Sequence, residues 1–206
     1  MKPQLFVFLG RSGCGKGTQA DLLSKHLNKI DPKNRIFYVS TGEEFRKLIS
    51  GDTYTASETR NIVDNGDFAP SFIASMLWTN AIVRDYKKGS HMIVDGSPRT
   101  LAEKAIFDTL FYFYGEKKVY EFEKPHVIFL NVSKQWALDK LLKRANLENR
   151  VDDAKSAIEK RMYWFENHIF KVVKAYQADD KAFFHAINGE QTVEAVHKDI
   201  KKALGL

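Results

Sequence analysis

Cysteine is almost absent from this chain, since Cys14 is the single one in 206 residues. One thiol can form neither an intramolecular disulfide nor a multi-cysteine zinc site, which excludes disulfide-stapled secreted domains and zinc-cysteine modules. No apolar run approaches the roughly 18 residues that a membrane-spanning helix needs. The first residues also lack the layout of a signal peptide. We therefore expect a cytoplasmic protein without a membrane partner.

Basic residues outnumber acidic ones, 32 to 26, which gives a formal net charge of +6. This excess favours anionic partners, but it does not separate nucleotides from nucleic acids or anionic membranes. Hydrophobic residues make up 44% of the chain and include 15 phenylalanines, enough to fill a sizeable core. The length predicts a single domain over residues 1–206, with room for a small insertion.

Short apolar runs alternate with longer amphipathic stretches. The runs predict buried strands, because they are near-continuously apolar and rich in β-branched or aromatic residues: Leu5–Leu9, Ile36–Val39, Met92–Val94, Val127–Val132 and Phe183–Ile187. The stretches predict helices: Gln19–Asn28, Pro70–Tyr86, Leu101–Tyr114, Lys134–Ala145, Asp152–Ala178 and Thr192–Leu204. This order predicts an α/β fold, a central five-stranded parallel sheet with helices on both faces.

The region from about 41 to 88 contains helical segments and no convincing strand. It predicts a helical insertion beside a core formed by residues 1–40 and 89–206. In open parallel sheets, ligands bind beyond the carboxyl ends of the strands. The segments that follow the strands are therefore the candidates for a functional site.

The segment Gly10–Thr18, GRSGCGKGT, lies between the first strand and the first helix. Its glycines let backbone N–H groups curl around an anion, and the N-terminus of the helix adds partial positive charge. Lys16 can reach the outer phosphates of a nucleotide, and Thr18 supplies a hydroxyl near a bound Mg²⁺. A simple glycine turn is the alternative, in which Cys14 is a small residue rather than a reactive thiol. The combination of strand, loop and helix favours phosphate binding.

The segment Asp95–Thr100, DGSPRT, follows the third strand. A carboxylate at that position suits the water ligands of a magnesium ion, which points to Asp95. Arg99 has a planar fork that binds phosphate through two hydrogen bonds. A capped turn with a surface arginine is the alternative, and the neighbouring glycine loop weighs against it.

Two more groups of residues could contact phosphate. The segment Ser40–Arg46, STGEEFR, opens the helical insertion, with Thr41 as a natural helix N-cap. Helix capping does not account for Arg46. If Arg46 does not contact phosphate, we expect it to be a solvated residue of the helix. A late basic set follows, and clustered arginines are what phosphoryl transfer requires: Lys140, Arg144, Arg150 and Arg161.

These four segments, in this order, resemble the adenylate kinase family, and the similarity spans nearly the whole chain. The resemblance implies a P-loop three-layer sandwich with a small helical NMP-binding insertion. It also implies reversible transfer of the γ-phosphoryl group of Mg·ATP to AMP, giving two ADP. ATP and AMP, or another monophosphate, are then the partners and Mg²⁺ the cofactor. Neither zinc nor nucleic acid is expected, and we expect a monomer.

The resemblance also assigns roles to residues. The catalytic residues are then Lys16, Arg99, Arg144, Arg150 and Arg161. ATP would contact Gly13, Cys14, Gly15, Lys16, Gly17, Thr18, Lys140, Arg144 and the backbone near Gln191. The monophosphate would contact Thr41, Arg46, Ala69, Gly96, Arg99, Glu103, Arg150 and Arg161. Asp95 and Asp152 would hold magnesium through water, and Pro98 would follow a cis peptide bond.

The chain departs from the family pattern at several positions. Only residues 145–149 separate the two flanking arginines, which predicts a short lid loop instead of a large lid. Lys140 stands where an arginine usually covers the ATP adenine, so stacking there should be weaker. Ser97 replaces an aromatic residue.

Glu103 replaces the glutamine that pairs with the adenine of AMP. An ionised glutamate only accepts hydrogen bonds, so it suits guanine's N1–H and amino group better than adenine's N1. Kinases for GMP, UMP or CMP are therefore alternatives to AMP as acceptor.

An alternative function, outside the enzymes, is that of a regulatory nucleotide-binding protein that acts on RNA without catalysing a reaction. It accounts for the glycine loop and the net charge but leaves the arginines unexplained. We find no aromatic-plus-basic stretch of the kind that binds single-stranded nucleic acid. The aromatic runs Phe111–Tyr114 and Tyr163–Phe165 are expected to lie in the core.

Overall fold

The computed structural model describes residues 1–116, 124–148 and 155–206. Its centre is one parallel sheet with the strand order β2-β3-β1-β4-β5. The strands are β1 (Leu5–Gly10), β2 (Ile36–Ser40), β3 (His91–Asp95), β4 (His126–Asn131) and β5 (Phe183–Asn188). All five predicted strands are confirmed. Because β1 lies between β3 and β4, the chain moves first to one side of β1 and then to the other, which opens a crevice at the carboxyl end of β1.

Helices cover both faces of the sheet. They are α1 (Lys16–Ile30), α2 (Thr41–Ile49), α3 (Tyr54–Asp64), α4 (Ser71–Asp85), α5 (Leu101–Phe111), α6 (Lys134–Glu148), α7 (Lys155–Trp164), α8 (Phe170–Gln177) and α9 (Val193–Leu204). The residues from 41 to 88 form α2 to α4 and no strand, as predicted. None of the helices in these described stretches has the length and apolar character that crossing a membrane requires.

The sequence patterns were wrong about two helices. The single helix predicted over Asp152–Ala178 is divided, since a π-helical turn, Phe165–Ile169, lies between α7 and α8. The helix predicted over Leu101–Tyr114 ends at Phe111, and a second π-helical turn follows over Tyr112–Glu116. A π-helical turn contains more residues than an α-helical turn, so the apolar residues that follow it no longer continue the 3.6-residue repeat. A sequence pattern based on that repeat therefore does not indicate where such a turn lies.

Alternate residues of the strands fill two cores. In β1, Leu5, Val7 and Leu9 pack toward α4, α5 and α8, together with Trp78, Phe107 and Tyr176. Phe6 and Phe8 face the opposite way, toward α1, α6 and α9, where they meet Leu23, Leu141 and Ile200. All members of β1 are buried on both faces, which explains the continuous apolar run in its sequence.

Histidines are concentrated at the strand ends opposite the crevice. His126 Nδ1 lies 3.0 Å from His185 Nε2, and the two rings stack. Burial, and to a smaller extent the proximity of His185, lowers the pKa of His126 to about 4. Burial also lowers the pKa of His185. Both rings are therefore neutral in the folded protein at neutral pH.

We predict that the free energy of unfolding falls as the pH decreases from about 6.5 to about 4. Because the histidine pKa is lower in the folded protein, the unfolded chain binds the proton at a higher pH than the folded protein does. The contribution of the histidine to the free energy of unfolding is therefore fully present above the unfolded-state pKa and is lost as the pH falls below it. His126 should account for about 1–2 kcal/mol after allowance for its partial exposure. Urea titrations at pH 7.5, 6.0 and 5.0 measure this loss.

The same titrations should be repeated with His126→Asn, which should flatten the slope of stability against pH. His168→Asn is the matched control and should leave the slope unchanged, because His168 lies in the π-helical turn Phe165–Ile169, away from the histidine pair of β4 and β5. An equal slope in the wild type and in His126→Asn would contradict the prediction.

Candidate active site

A cavity of about 860 Å³ opens at the carboxyl ends of β1 and β3. One wall is the glycine loop with the start of α1, a second is α2 with the segment after α3, and a third is α6 and α7. Most of the predicted site residues line it: Gly13, Cys14, Gly15, Lys16, Gly17, Thr18, Arg46, Ala69, Asp95, Gly96, Arg99, Glu103, Lys140, Arg144, Arg161 and Gln191. Residues that are far apart in sequence thus converge on one space.

The glycine loop delivers α1 to the cavity through a left-handed turn. Gly15 is the N-cap of α1, with a φ of 92°, and no atom lies within 4 Å of where a Cβ would stand. That space is open on the cavity side, where an anion could approach the first backbone N–H groups of the helix. The Lys16 ammonium lies over the loop and donates to the Gly10 carbonyl at 3.0 Å and to the Arg11 carbonyl at 2.9 Å. A phosphate group would offer this ammonium stronger acceptors.

Cys14 is buried in the loop. Burial raises the pKa of its thiol, although the charge of Lys16 opposes that rise. The thiol is therefore a poor nucleophile at neutral pH. This geometry fits the interpretation of Cys14 as a small residue whose backbone matters.

Asp95 ends β3 beside the loop. Tyr38, in the middle of β2, donates its hydroxyl to Asp95 Oδ2 at 3.2 Å, and a Cβ on Gly17 would stand 3.5 Å from the same oxygen. Asp95 Oδ1 is buried without a hydrogen-bond partner among the described residues. Burial raises the pKa of Asp95, and the charge of Lys16 opposes this. A buried carboxylate oxygen without a donor fits the water shell of a magnesium ion held beside the loop.

Arg99 extends from the turn after β3 into the cavity. Its Nε donates to the Gly96 carbonyl at 2.6 Å, which fixes the direction of the guanidinium group. Burial lowers the pKa of Arg99, the carboxylates of Glu103 and Asp95 raise it, and the charge of Arg161 lowers it. Arg161 is thus close enough for the two like charges to interact. Holding two guanidinium groups near each other costs free energy that an anion between them would recover. The peptide bond between Ser97 and Pro98 is cis, as predicted.

Glu103 is fully buried in the first turn of α5. Its Oε2 accepts the backbone N–H of Arg99 at 3.0 Å, and its Oε1 accepts the Thr100 hydroxyl at 3.3 Å. The Thr100 hydroxyl oxygen in turn accepts the Glu103 backbone N–H, so the two side chains together cap the N-terminal end of α5. Burial raises the pKa of Glu103, and the backbone hydrogen bond from Arg99 opposes that rise. The carboxyl group therefore has a structural role as well as a place on the cavity wall.

The structure corrects the predicted cap of α2. Ser40 is the N-cap, and its hydroxyl accepts the backbone N–H of Glu43 at 3.4 Å. Thr41 is the first helical residue, completely buried, and its hydroxyl lies 2.7 Å from that of Ser97. Its side chain does not line the cavity, whereas its neighbours Ser40 and Gly42 do. The cap moved because Ser40, at the end of β2, still has the extended backbone that an N-cap requires.

The wall that includes α2 and the segment after α3 brings Arg46 near two aromatic residues. Arg46 is exposed on α2, and its side chain lies along Gly42 toward the cavity. Phe68, beside Ala69, packs against Trp164 of α7 with ring centroids 5.1 Å apart, and both rings line the cavity. This part of the cavity therefore combines a guanidinium group with an apolar aromatic surface.

The opposite wall comes from α6 and the start of α9. Lys140 lies with its ammonium 4.8 Å above the ring of Trp136, one helical turn earlier. Gln191 donates from its side chain to the Asn188 carbonyl and to Asp199, each at 2.9 Å. Trp136 gives this wall a flat apolar surface of the kind that a nucleotide base packs on.

Two predicted site residues, Arg150 and Asp152, lie outside the described residues. Of the predicted lid loop over 145–149, positions 145–148 are helical, since α6 continues through Glu148. That part of the lid prediction is wrong, because good helix formers continue the α6 pattern past Arg144.

The cavity wall contains further residues that the sequence analysis did not give as site residues, and four of them are aromatic: Tyr38, Phe68, Trp136 and Trp164. Two of them had a usable signal. Tyr38 lies near the carboxyl end of a predicted strand, and Trp136 precedes Lys140 by four residues on a predicted helix. Nothing in the sequence indicates that Phe68 and Trp164 meet, because their contact depends on how the insertion packs on α7.

Comparison with known proteins agrees with this geometry. The family model described as adenylate kinase matches residues 8–181. The chain is 30% identical over 199 residues to an adenylate kinase from Flavobacterium psychrophilum, covering 96% of each sequence. It is 28% identical over 203 residues to an adenylate kinase from Thermus thermophilus, covering 98% of each. It is also 27% identical over 198 residues to an adenylate kinase from Nocardioides sp., covering 96% of this chain and 95% of that protein.

Proposed function

The chain belongs to the adenylate kinase family, and we propose that the cavity at the carboxyl ends of β1 and β3 binds Mg·ATP and AMP together and that the γ-phosphoryl group passes between them there. The protein is a phosphotransferase that converts ATP and AMP into two ADP. The observation that carries the proposal is the convergence of the glycine loop with Arg99, Arg144 and Arg161 on a single space. We place the reaction in the cytoplasm, with no nucleic-acid partner.

The proposed step is an in-line displacement. A phosphate oxygen of AMP forms a bond to the γ-phosphorus of ATP while the bond from that phosphorus to the bridging oxygen breaks. ADP leaves on one side, and AMP has become ADP on the other. The attacking oxygen already carries negative charge at neutral pH, so the residues need to screen charge and align the two nucleotides rather than remove a proton.

Each wall has a proposed role in that step. Lys16 and the loop N–H groups hold the ATP phosphates, and the wall formed by Trp136 and Lys140 packs against the ATP base. Arg46 and Arg99 hold the phosphate of AMP.

Charge on the phosphoryl group in transfer is screened by Arg144 and Arg161, and we assign Arg150 to the same task from its place in the family pattern. Magnesium, when bound, neutralises the phosphate oxygens and keeps them aligned. Asp95 would orient the water ligands of the ion through Oδ1, which accepts no hydrogen bond from the described part of the chain, and Asp152 is proposed for the same role.

We propose that the insertion, residues 41–88, moves as the acceptor subdomain. Its closure would exclude water from the transferring group, which protects ATP from hydrolysis. The salt bridge of 2.8 Å between Asp67 and Lys160 joins the segment after α3 to α7 and is one contact that such a movement would change.

AMP is the acceptor we propose, with Glu103 as the residue that decides between bases. A charged carboxylate accepts the adenine amino N–H but repels the acceptor N1. A carboxyl group that keeps its proton can donate to N1, and the burial of Glu103 favours that form.

We predict that Glu103→Gln lowers the KM for AMP by about tenfold with little change in kcat, because an amide always presents both a donor and an acceptor. The gain should shrink at low pH, where the wild-type carboxyl group is protonated. Initial rates against AMP concentration at pH 6 and pH 8 measure the effect. Glu44→Gln, on α2 and off the cavity wall, is the matched control. Identical AMP kinetics in wild type and Glu103→Gln would remove Glu103 from the base site.

A coupled assay tests the proposed function itself. The purified chain receives Mg·ATP with AMP, GMP, CMP, UMP or dAMP in turn, and ADP formation is followed. We expect the highest kcat/KM with AMP. A higher kcat/KM with GMP would reassign the acceptor, and tight ATP binding without turnover of any acceptor would favour a nucleotide-binding regulator.

A further inference from the structure

Arg11 is the second residue of the glycine loop, yet its side chain does not face the cavity. The cavity wall includes its neighbours Gly10 and Ser12 but not Arg11. The guanidinium group points instead toward the carboxyl end of β4 and the π-helical turn Phe165–Ile169. The proposed reaction therefore gives this charge no contact with either nucleotide.

Contacts with these two elements hold the Arg11 side chain. Its Nε donates to the carbonyl of Val132, just after β4, at 3.2 Å. One of its terminal nitrogens, Nη1, donates to Glu166 in the π-helical turn at 3.3 Å. Its Cζ also lies 4.1 Å from the centre of the Phe165 ring, a distance at which a guanidinium group and a ring attract each other. Only 16% of the side chain is exposed, so water competes little for these contacts. Arg11 thus joins the glycine loop to two elements that are distant in sequence.

Phe165 gives this link a fixed support. The residue is 3% exposed, and its ring stacks on that of Phe129 in β4 with an angle of 10° between the planes. In the two aromatic runs that were expected in the core, Phe111 and Phe165 are the buried members. Phe165 also follows Arg161 by four residues, which is about one helical turn. The support of the Arg11 side chain is therefore continuous with the helix that carries Arg161.

The backbone of Arg11 belongs to the loop itself. Its carbonyl accepts hydrogen bonds from the Lys16 ammonium at 2.9 Å and from the Cys14 N–H at 3.2 Å. Contacts that fix the position of Arg11 therefore also fix the place of the Lys16 ammonium. At one end of the link is the lysine proposed to hold the ATP phosphates, and at the other is Arg161, proposed to screen the phosphoryl group in transfer.

We propose that Arg11 is a positioning residue that sets the glycine loop against the end of α7, so that Lys16 and Arg161 act on the same phosphoryl group. This role rests on the proposed function and adds to it a residue that touches neither nucleotide. Charge screening in the transition state depends on placement, and an error of about 1 Å can lower a rate by about 100-fold. The alternative is a simple structural role, in which Arg11 stabilises the fold and leaves the reaction geometry unchanged.

Steady-state kinetics of Arg11→Gln test the proposal. Glutamine removes the charge and the stacking fork, so kcat should fall at least about tenfold. The KM for AMP and the dissociation constant of ATP, measured by calorimetry, should stay within about threefold of wild type, because placement matters most in the transition state. Arg11→Lys keeps the charge without the fork, so its kcat should lie between the two. A kcat of Arg11→Gln within about threefold of wild type would overturn the proposal, and so would equal losses in kcat and in affinity.

Glu166→Gln tests the same link from its other end. Half of the Glu166 side chain is exposed, so this variant should fold as the wild type does, and its kcat should fall by about threefold. The double variant should be no slower than Arg11→Gln alone, because both substitutions break one link. Losses that multiply in the double variant would overturn the proposal. Arg84→Gln is the matched control, since the Arg84 ion pair with Asp85 lies on α4 and off the cavity wall. Its kinetics should equal those of the wild type.

Amide ¹H–¹⁵N spectra of the free protein provide a measurement that does not depend on turnover. Glu166→Gln should shift the signals of Lys16 and Gly17 in the glycine loop, and this shift should be lost when Arg11→Gln is also present. Loop signals that stay in place, or a shift that persists without the Arg11 side chain, would overturn the proposal. A wild-type protein that transfers no phosphoryl group would contradict the proposed function, whereas the spectra decide on the link from Arg11 in either case.

Discussion

Replacing Arg99 by alanine should lower kcat/KM for AMP by about 10³-fold, the largest loss we expect from any single substitution. The Arg99 guanidinium group is oriented by the Gly96 carbonyl and lies close to Arg161. It would contact the acceptor phosphate throughout the reaction and the transferring oxygens only as charge develops on them. Both kcat and the affinity for AMP should therefore fall. Initial-rate kinetics with AMP varied at saturating Mg·ATP measure the two effects separately.

Two further variants test whether the loss of activity is specific to the guanidinium group of Arg99. Arg99→Lys keeps the charge but loses the fork, so it should fall between wild type and Arg99→Ala. Arg35→Ala removes an exposed arginine at the opposite end of the sheet and should leave the rates unchanged. A turnover number of Arg99→Ala within threefold of wild type would contradict the assigned role.

Lys16→Met should lower kcat/KM for ATP by about 10²- to 10³-fold. Methionine keeps the length of the side chain but removes the ammonium that folds over the loop. Because that charge would follow the phosphate oxygens during transfer, kcat should fall more than ATP affinity. Rates with ATP varied, together with ATP binding measured by calorimetry, separate the two quantities.

Lys29→Met is the matched control for Lys16, since Lys29 is exposed at the other end of α1. Its kinetics should equal those of the wild type. Equal losses in the two variants would show a general effect of charge rather than a contact with phosphate.

Much of the fold could be predicted because its signals are local. Buried parallel strands are apolar on both faces, so the run Leu5–Leu9 was recognisable without any knowledge of its neighbours. The break between α7 and α8 was not predictable, since a π-helical turn needs no glycine or proline to mark it. Exposure of Phe113 was equally hidden, because residue type does not tell which side of a helix meets the sheet.

In the candidate site, too, some features could be predicted from the sequence and others could not. The loop lysine and the arginine after β3 were predictable, because phosphate chemistry limits which residues can serve and parallel strands bring their carboxyl ends together. The hydrogen bond from Tyr38 to Asp95 and the contact of Phe68 with Trp164 were not. Each depends on packing between elements distant in sequence. The cap of α2 moved by a single residue, from Thr41 to Ser40, a difference within the ordinary uncertainty of helix boundaries.

The most direct test of the shared cavity follows one phosphorus atom. ATP labelled with ³²P at the γ position is mixed with unlabelled AMP, Mg²⁺ and the protein, and the products are separated by thin-layer chromatography. We predict that the label appears at the β position of ADP, one for each AMP consumed, with almost none in inorganic phosphate. Release of the label as inorganic phosphate, or its retention in ATP while AMP is bound, would contradict transfer between two nucleotides held in one cavity.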